Sequence, residues 1–325
     1  MDRVLSGMRP TGKLHIGHLY GAIANYVKLQ DKYDSFFFIA DLHSLTTKYE
    51  NTEDIKQNRV EVMLDWLASG IDPEKTTLFI QSRVPEHAYL HLLLSMIVPI
   101  PWVERNTTVK DMIRDLKLKE NASYGLLGYP ILMTSDIILY KADFVPVGKD
   151  QVHHLEISRE IVRRFNRFYG ELFPEPQPLL TEFPSIPGLD GKKMSKSLNN
   201  DIKIADSEED TRKKVMRAIT DPQKIRKNDP GHPEVCTVFK LHKIFSKDEI
   251  PDIEKNCRSG ALGCVACKKH LAENINKALR PIREKRKSLE GKTKEIEEIF
   301  EEGSKKARKV ASQTLKEAME HMRID

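Results

Sequence analysis

The pattern of hydrophobic and polar positions changes character near residue 200. Before it, short apolar runs alternate with longer stretches of helical period. Val4-Leu5-Ser6-Gly7 and Ser35-Phe36-Phe37-Phe38-Ile39-Ala40 read as strands, residues 52–69 as a helix, and Thr77-Leu78-Phe79-Ile80 as a strand again. Such alternation predicts an α/β fold, a Rossmann-type doubly wound parallel sheet flanked by helices. Beyond residue 200 the chain carries Lys/Glu-rich helical stretches at 207–219, 240–256, 267–290 and 303–322 and no convincing strand. The expectation is a sheet domain over 1–200 and an all-helical domain over 201–325. Periodicity does not choose whether the final helix extends the helical domain or returns to the sheet. The Pro/Gly-rich segments 173–191 and 220–233 read as linkers or mobile loops.

Composition adds bounds to this picture. A chain of 325 residues, 39% hydrophobic, can bury a sizeable core and divide into two domains. No run approaches a membrane span and the start lacks a signal-peptide core, so no membrane partner and a cytoplasmic location are expected. The net charge of +5 is uneven: residues 201–325 hold 29 Lys+Arg against 23 Asp+Glu, and residues 1–200 hold 24 against 25. The basic excess of the C-terminal third suits a polyanion such as RNA, or a merely solvated face.

Candidate chemistry concentrates in two segments. Pro10-Thr11-Gly12-Lys13-Leu14-His15-Ile16-Gly17-His18 follows the first strand and opens a helical pattern, so it reads as a loop leading into a helix N-terminus, a phosphate-attracting position. Gly17, without a Cβ, would let an adenine lie against the backbone, and His15 and His18, three apart, share a face. Lys193-Met194-Ser195-Lys196-Ser197 follows Pro187-Gly188-Leu189-Asp190-Gly191 and reads as a mobile cationic loop able to close on pyrophosphate. Taken singly, the histidines could only cap a helix and the lysines could only be a solvated turn.

The 129–140 stretch is a helical pattern in which Tyr129, Met133, Asp136 and Tyr140 form a stripe interrupted by a carboxylate. A buried carboxylate needs a partner, here a candidate ligand donor; the alternative places Asp136 at the stripe's edge, facing water. All four cysteines, Cys236, Cys257, Cys264 and Cys267, fall in one short stretch of the second domain. In a cytosolic chain this suggests metal rather than disulfides: a 4Fe–4S cluster, with Zn2+ or free buried thiols as alternatives.

Found together and in this order, the His-Ile-Gly-His and Lys-Met-Ser-Lys-Ser segments resemble the two signature motifs of class I aminoacyl-tRNA synthetases. The Pro130-to-Ile137 helix, with Val145-Pro146-Val147-Gly148-Lys149-Asp150-Gln151-Val152-His153-His154-Leu155-Glu156 and Arg159-to-Asn166 after it, closely resembles tryptophanyl-tRNA synthetases. Ser6-to-Pro10, Ile71-Asp72-Pro73, Gln81-Ser82, Glu104-Arg105, Thr220-Asp221-Pro222 and the last helix extend the likeness to nearly the whole chain.

The resemblance implies ligation of L-tryptophan to tRNA(Trp) through a tryptophanyl-adenylate. It implies a tryptophan pocket in which Asp136 accepts the indole N–H, Leu5, Gly7, Met133, Val145 and Val147 enclose the ring, Tyr129 and Gln151 hold the amino and carboxylate groups, and His43 lies near. ATP would be held by Arg9, Pro10, Thr11, Gly17, His18, Gly148, Lys149, Asp150, Ile186, Lys193, Met194, Ser195, Lys196 and Ser197, with Mg2+ on the phosphates. His15, His18, Lys193 and Lys196 would carry catalysis. The cysteines are similar to those of a bacterial subset with a 4Fe–4S cluster beside the anticodon-binding surface, although the first gap here is slightly shorter. A homodimer with Pro99–Arg114 at its interface is also implied. The rivals are a tyrosyl-tRNA synthetase, a nucleotidyltransferase acting without tRNA, and a non-catalytic tryptophan- or RNA-binding relative.

Overall fold

The computed structural model describes residues 1–115, 118, 121–148, 152–180 and 186–325, apart from the side chains of 153 and 154. The chain divides into two compact units, one of residues 1–12, 25–182 and 291–325, the other of residues 13–24 and 183–290. Among the described residues, no helix is long and apolar enough to cross a membrane.

In the first unit β1 (Arg3–Met8), β2 (Asp34–Ile39), β3 (Thr76–Ile80), β4 (Phe144–Val147) and β5 (Gln177–Leu180) form one parallel sheet in the order β3-β2-β1-β4-β5. β2 is covered on both faces, as its unbroken phenylalanine run requires. Phe37 stacks on Tyr26 at 4.3 Å, with Trp66 beyond it. Phe36 and Phe38 face Phe79 on the other side. β4 and β5 escape a reading by periodicity because each is four residues long and contains a proline, Pro146 and Pro178, which argues against a strand. The order reverses between β1 and β4, so the loops that leave these strands flank the switch point at which open α/β sheets bind ligands.

The helix Thr293–Met322 belongs to the sheet unit and starts ten residues earlier than the 303–322 pattern suggests. Its buried face starts with Ile296 and Phe300 and continues in small residues, Gly303, Ser304, Ala307, Ala311, Thr314 and Ala318. Ser304 Oγ accepts the Ile80 amide at 3.3 Å and donates to Phe300 O, so the helix caps an outer strand that would otherwise offer an unpaired edge.

The described part of the second unit is helical, with only isolated bridges at His15–Lys203 and Pro187–Lys193. Leu271, Ile275 and Leu279 of the helix Cys264–Leu289, and Val215 of the helix Glu208–Met216, form its core. Arg283 fastens these two helices through Ile204 O, Asn276 Oδ1 and Thr211 Oγ1 at 3.0, 2.8 and 2.7 Å. The single helix expected over 240–256 is two, Thr237–Phe245 and Ile250–Arg258, because Pro251 cannot continue a helix and instead starts one.

Candidate active site

In the sheet unit the helix Tyr129–Ile138 carries Asp136, and its carboxylate is buried, 2% exposed, rather than set at the stripe's edge. Three side chains meet it. His43 Nε2, from the helix Asp41–Lys48 that follows β2, lies 2.8 Å from Oδ2. Gln81 Nε2, just after β3, donates to Oδ1 and Oδ2 at 2.8 and 2.9 Å. His87 Nδ1 lies 2.6 Å from Oδ1. The Gln81 amide cannot be turned over, because its Oε1 accepts the Leu42 and His43 backbone N–H groups. Burial alone would raise this carboxyl, but His87 and His43 outweigh it and bring Asp136 down to about 2, so it is ionised at neutral pH.

Leu5, Met133 and Val145 belong to one apolar cluster with Ile131, Ile137 and Ile138 of the helix that carries Asp136. Tyr129 sets its ring edge-on to His43 at 4.5 Å, and burial raises its phenol above the usual range. Gly7 must remain a glycine: a Cβ there would stand 2.4 Å from the Phe38 ring. Arg9, just beyond β1, bonds Thr47 Oγ1. Val147 ends β4 and Gly148 follows it; Lys149, Asp150 and Gln151 lie outside the described residues. Sequence reasoning missed Gln81 and His87 as members of this site. The only local signal was the Asp136-to-Tyr140 spacing, which puts a second polar group one turn from the carboxylate and beside His87.

In the second unit, the His15 and His18 rings lie 3.8 Å apart at the start of the helix Ile16–His18. Strand-like bonds from Ile16 N to Ile202 O and from Ile204 N to Leu14 O hold this segment. The His15 backbone N–H donates to His18 Nδ1 at 3.3 Å. Burial is the main cause that lowers His15 from 6.5 to about 4 and His18 to about 2, so both are neutral at pH 7 and His18 carries its proton on Nε2. Gly17 is needed here as well, since a Cβ would lie 2.9 Å from the His15 ring. Met194 Cβ is 3.6 Å from that same point, which puts the two signature segments side by side within one unit.

Lys193 and Ser197 are exposed, Ser195 and Lys196 half-buried, and Ile186 and Met194 buried. The base of the lysine loop is stapled by Asn200, which sequence reasoning did not single out. Its Oδ1 accepts Ser195 N at 2.7 Å, and its Nδ2 donates to Asp190 Oδ1 at 2.7 Å and to Lys193 O at 3.1 Å. Gly188 allows this, because a Cβ there would meet the Asn200 amide at 2.3 Å.

The depressed histidines give a signed pH dependence. The unfolded chain takes protons below about pH 6.5 that folded His15 refuses until about pH 4, so their stabilisation is complete above pH 6.5 and is lost as the pH falls. Urea unfolding of the protein is expected to lose about 2 kcal/mol between pH 7 and pH 5 from His15 and about as much from His18, and a His15→Asn variant should reduce the histidine part of that slope by about half. An unchanged slope would contradict the assignment.

Cys236, Cys257, Cys264 and Cys267 are unpaired and line one cavity of about 20 Å³ together with Asp221, Lys224 and Phe239. Burial, reinforced by the other three thiols, pushes Cys267 up to about 12. Among the described residues, no group of three or more His, Cys, Asp or Glu is gathered tightly enough for a single metal ion.

A parallel sheet with a buried anion held by residues that follow β2 and β3, and a helix start with two neutral imidazoles beside a lysine loop, are features of a nucleotide-using α/β enzyme. The family model for tRNA synthetases class I (W and Y) matches residues 2–280, and the chain belongs to this family of class I aminoacyl-tRNA synthetases. It is 47% identical to the tryptophan–tRNA ligase of Aquifex aeolicus, over 99% of this chain and 100% of that one. It is 46% identical to that of Thermotoga maritima, over 99% of both. The solved structure of Campylobacter jejuni tryptophanyl-tRNA synthetase, complexed with ADP and tryptophan, has a TM-score of 0.88 at 36% identity and covers 98% of this chain and 99% of that one. Within the family, the chain belongs with the tryptophan–tRNA ligases.

Proposed function

We propose that the chain activates L-tryptophan with ATP and transfers it to tRNA(Trp) in the cytoplasm, with the indole ring seated against Asp136. The observation that carries this reading is the ionised, buried Asp136 carboxylate, on a helix whose Ile131, Ile137 and Ile138 share an apolar cluster with Leu5, Met133 and Val145. An acceptor fixed in such a wall rewards a ring N–H and rejects ligands that lack a donor there. Gln81 is pinned by two backbone amides, and the indole N–H therefore takes the Oδ2 place held by His43, whose Nδ1 has no partner. Gly7 and Val147 complete the ring site, and Tyr129 and Gln151 hold the amino-acid end.

In the first step a tryptophan carboxylate oxygen attacks the α-phosphorus of ATP, the bond to the β-phosphate bridge breaks, and pyrophosphate leaves. A terminal ribose hydroxyl of the tRNA then attacks the acyl carbon and AMP departs. Positioning and charge stabilisation carry both steps. Arg9, Pro10, Thr11, Gly148, Lys149 and Asp150 are assigned to the nucleotide, together with Gly17, Ile186, Met194 and Ser197. His15 and His18 meet the phosphates as neutral donors, while Lys193, Ser195 and Lys196 hold the leaving pyrophosphate. Mg2+ accompanying ATP neutralises phosphate charge. Tryptophan-dependent ATP–pyrophosphate exchange, with tyrosine in parallel, tests the reading. Exchange with tryptophan alone is expected, and exchange with tyrosine alone or with neither would overturn it.

The remaining assignments rest on the sequence resemblance. The second unit is assigned the tRNA-binding surface, and Cys236, Cys257, Cys264 and Cys267 would hold a 4Fe–4S cluster that would order it rather than take part in the reaction. Anaerobically purified protein should show a broad band near ~400 nm and about four irons per chain; a colourless protein carrying one zinc would overturn the cluster. Tyr89, Leu92, Met96 and Ile100, 44 to 69% exposed on the helix Glu86–Ser95 and just after it, support a homodimer through this face. Pro99–Arg114 would continue that interface. Light scattering should give twice the 37.4 kDa chain mass.

A further inference from the structure

Asp136 is anchored from behind by a pair of residues that no assigned ligand contact explains. Tyr140, one turn further along the chain, is fully buried and its hydroxyl lies 2.8 Å from His87 Nε2. Burial, with the charges of Asp136 and Glu86, holds that phenol protonated well above its usual range, so its hydroxyl keeps its hydrogen for the contact with the ring. The Asp136 carboxylate can only accept, so His87 Nδ1 carries the proton between them, 2.6 Å from Oδ1, and Nε2 is the nitrogen left to the Tyr140 hydroxyl.

The imidazole has little room to turn. It is completely buried, with the Phe38 and Phe79 rings each 6.0 Å away. Its backbone carbonyl accepts the Ser135 hydroxyl at 2.8 Å, which fixes the helix Glu86–Ser95 to the helix Tyr129–Ile138 next to Asp136 itself. Oδ1 is thereby committed to His87, Gln81 Nε2 reaches both oxygens, and Oδ2 is the oxygen turned toward His43.

We propose that His87, oriented by the Tyr140 hydroxyl, is a positioning residue that locks the Asp136 carboxylate with Oδ2 presented to the ligand, and so sets the preference for rings that bear an N–H. This deepens, and rests on, the assignment of Asp136 as the indole acceptor. A carboxylate with one oxygen anchored can rotate only by breaking that anchor. Without it Gln81 is the one remaining anchor on Oδ1, the acceptor swings about that contact, and the N–H of the ligand gains less.

The test compares kcat/KM in pyrophosphate exchange for tryptophan and for the alanine derivative bearing benzothiophene, where sulfur replaces the ring N–H at nearly the same shape. His87→Leu should reduce the ratio of the two about tenfold, through a raised KM for tryptophan, and Tyr140→Phe about threefold. His87→Asn, whose amide N–H falls near the place of Nδ1, should recover most of the ratio. Should His87→Leu fail to fold, Tyr140→Phe decides alone. A packing role would depress both substrates together and leave the ratio fixed, which overturns the proposal. Asp136→Leu separates the two levels. If it abolishes the preference while the His87 and Tyr140 variants keep it, the positioning role fails and the acceptor stands. If it too leaves the preference intact, the acceptor assignment falls and the positioning role with it.

Discussion

Replacing His18 by alanine is expected to lower tryptophan-dependent pyrophosphate exchange by about two to three orders of magnitude while leaving the melting temperature nearly unchanged. The size follows from what the ring can offer. Burial keeps the imidazole neutral, at about 2, and the His15 amide occupies Nδ1, so Nε2–H is its one donor. A preorganised donor aimed at charge that develops in the transition state is worth far more than the same group in water. A local capping role predicts otherwise, and His18→Asn distinguishes the two. Its side-chain oxygen can still accept the His15 N–H, but nothing reaches the Nε2 position. Activity restored by asparagine, or an alanine variant within about threefold of the parent, would remove His18 from the chemistry.

Gly303→Val should be the most damaging single change to stability, on the order of 4 kcal/mol, read as a shift in the urea midpoint. A Cβ at this position would lie 1.8 Å from the Leu78 carbonyl oxygen and 2.8 Å from its carbon. These are backbone atoms of β3, which is paired to β2 along its whole length and cannot yield like a flexible side chain. The helix would have to lift away, and with it the Ser304 bond to Ile80 and the Ala307, Ala311 and Ala318 contacts. Gly303→Ala should cost nearly as much, since the clash begins at Cβ. A small midpoint shift for either variant would mean that the closing helix is not needed to hold the sheet.

How much of this could be read from the chain depends on the range of the forces involved. β1, β2 and β3 were legible because each is a contiguous apolar run, and the loop and helix start at His15–His18 because their chemistry lies within a few residues. The Pro-containing β4 and β5 are strands only through their neighbours, Phe144 on Val4 and Pro146 on Leu179. The split of the 240–256 pattern was present in Pro251, but amphipathic periodicity on either side of it masked the break. Asp136 drew attention as a charge in an apolar stripe. Of its partners, His43 is reached only through the family resemblance and Gln81 and His87 not at all, because the three come from other segments and meet it only after the sheet has formed. The same holds for Asn200, an ordinary polar residue whose function as a staple depends on the turn at Gly188.

The interleaving of the two units bears on how the protein is made. The sheet unit begins with the first strand and ends with the helix Thr293–Met322, while residues 183–290 are synthesised in between. On the ribosome, therefore, β1 to β5 emerge early but the outer edge at β3 waits for Gly303 and Ser304, through the synthesis of an entire second folding unit. During that interval the Ile80 amide and the apolar surface later covered by Ala307, Ala311 and Ala318 have no intramolecular cover. A pause in translation late in the message leaves this chain with a nearly finished sheet and an open β edge, the point at which a chaperone would have to hold it.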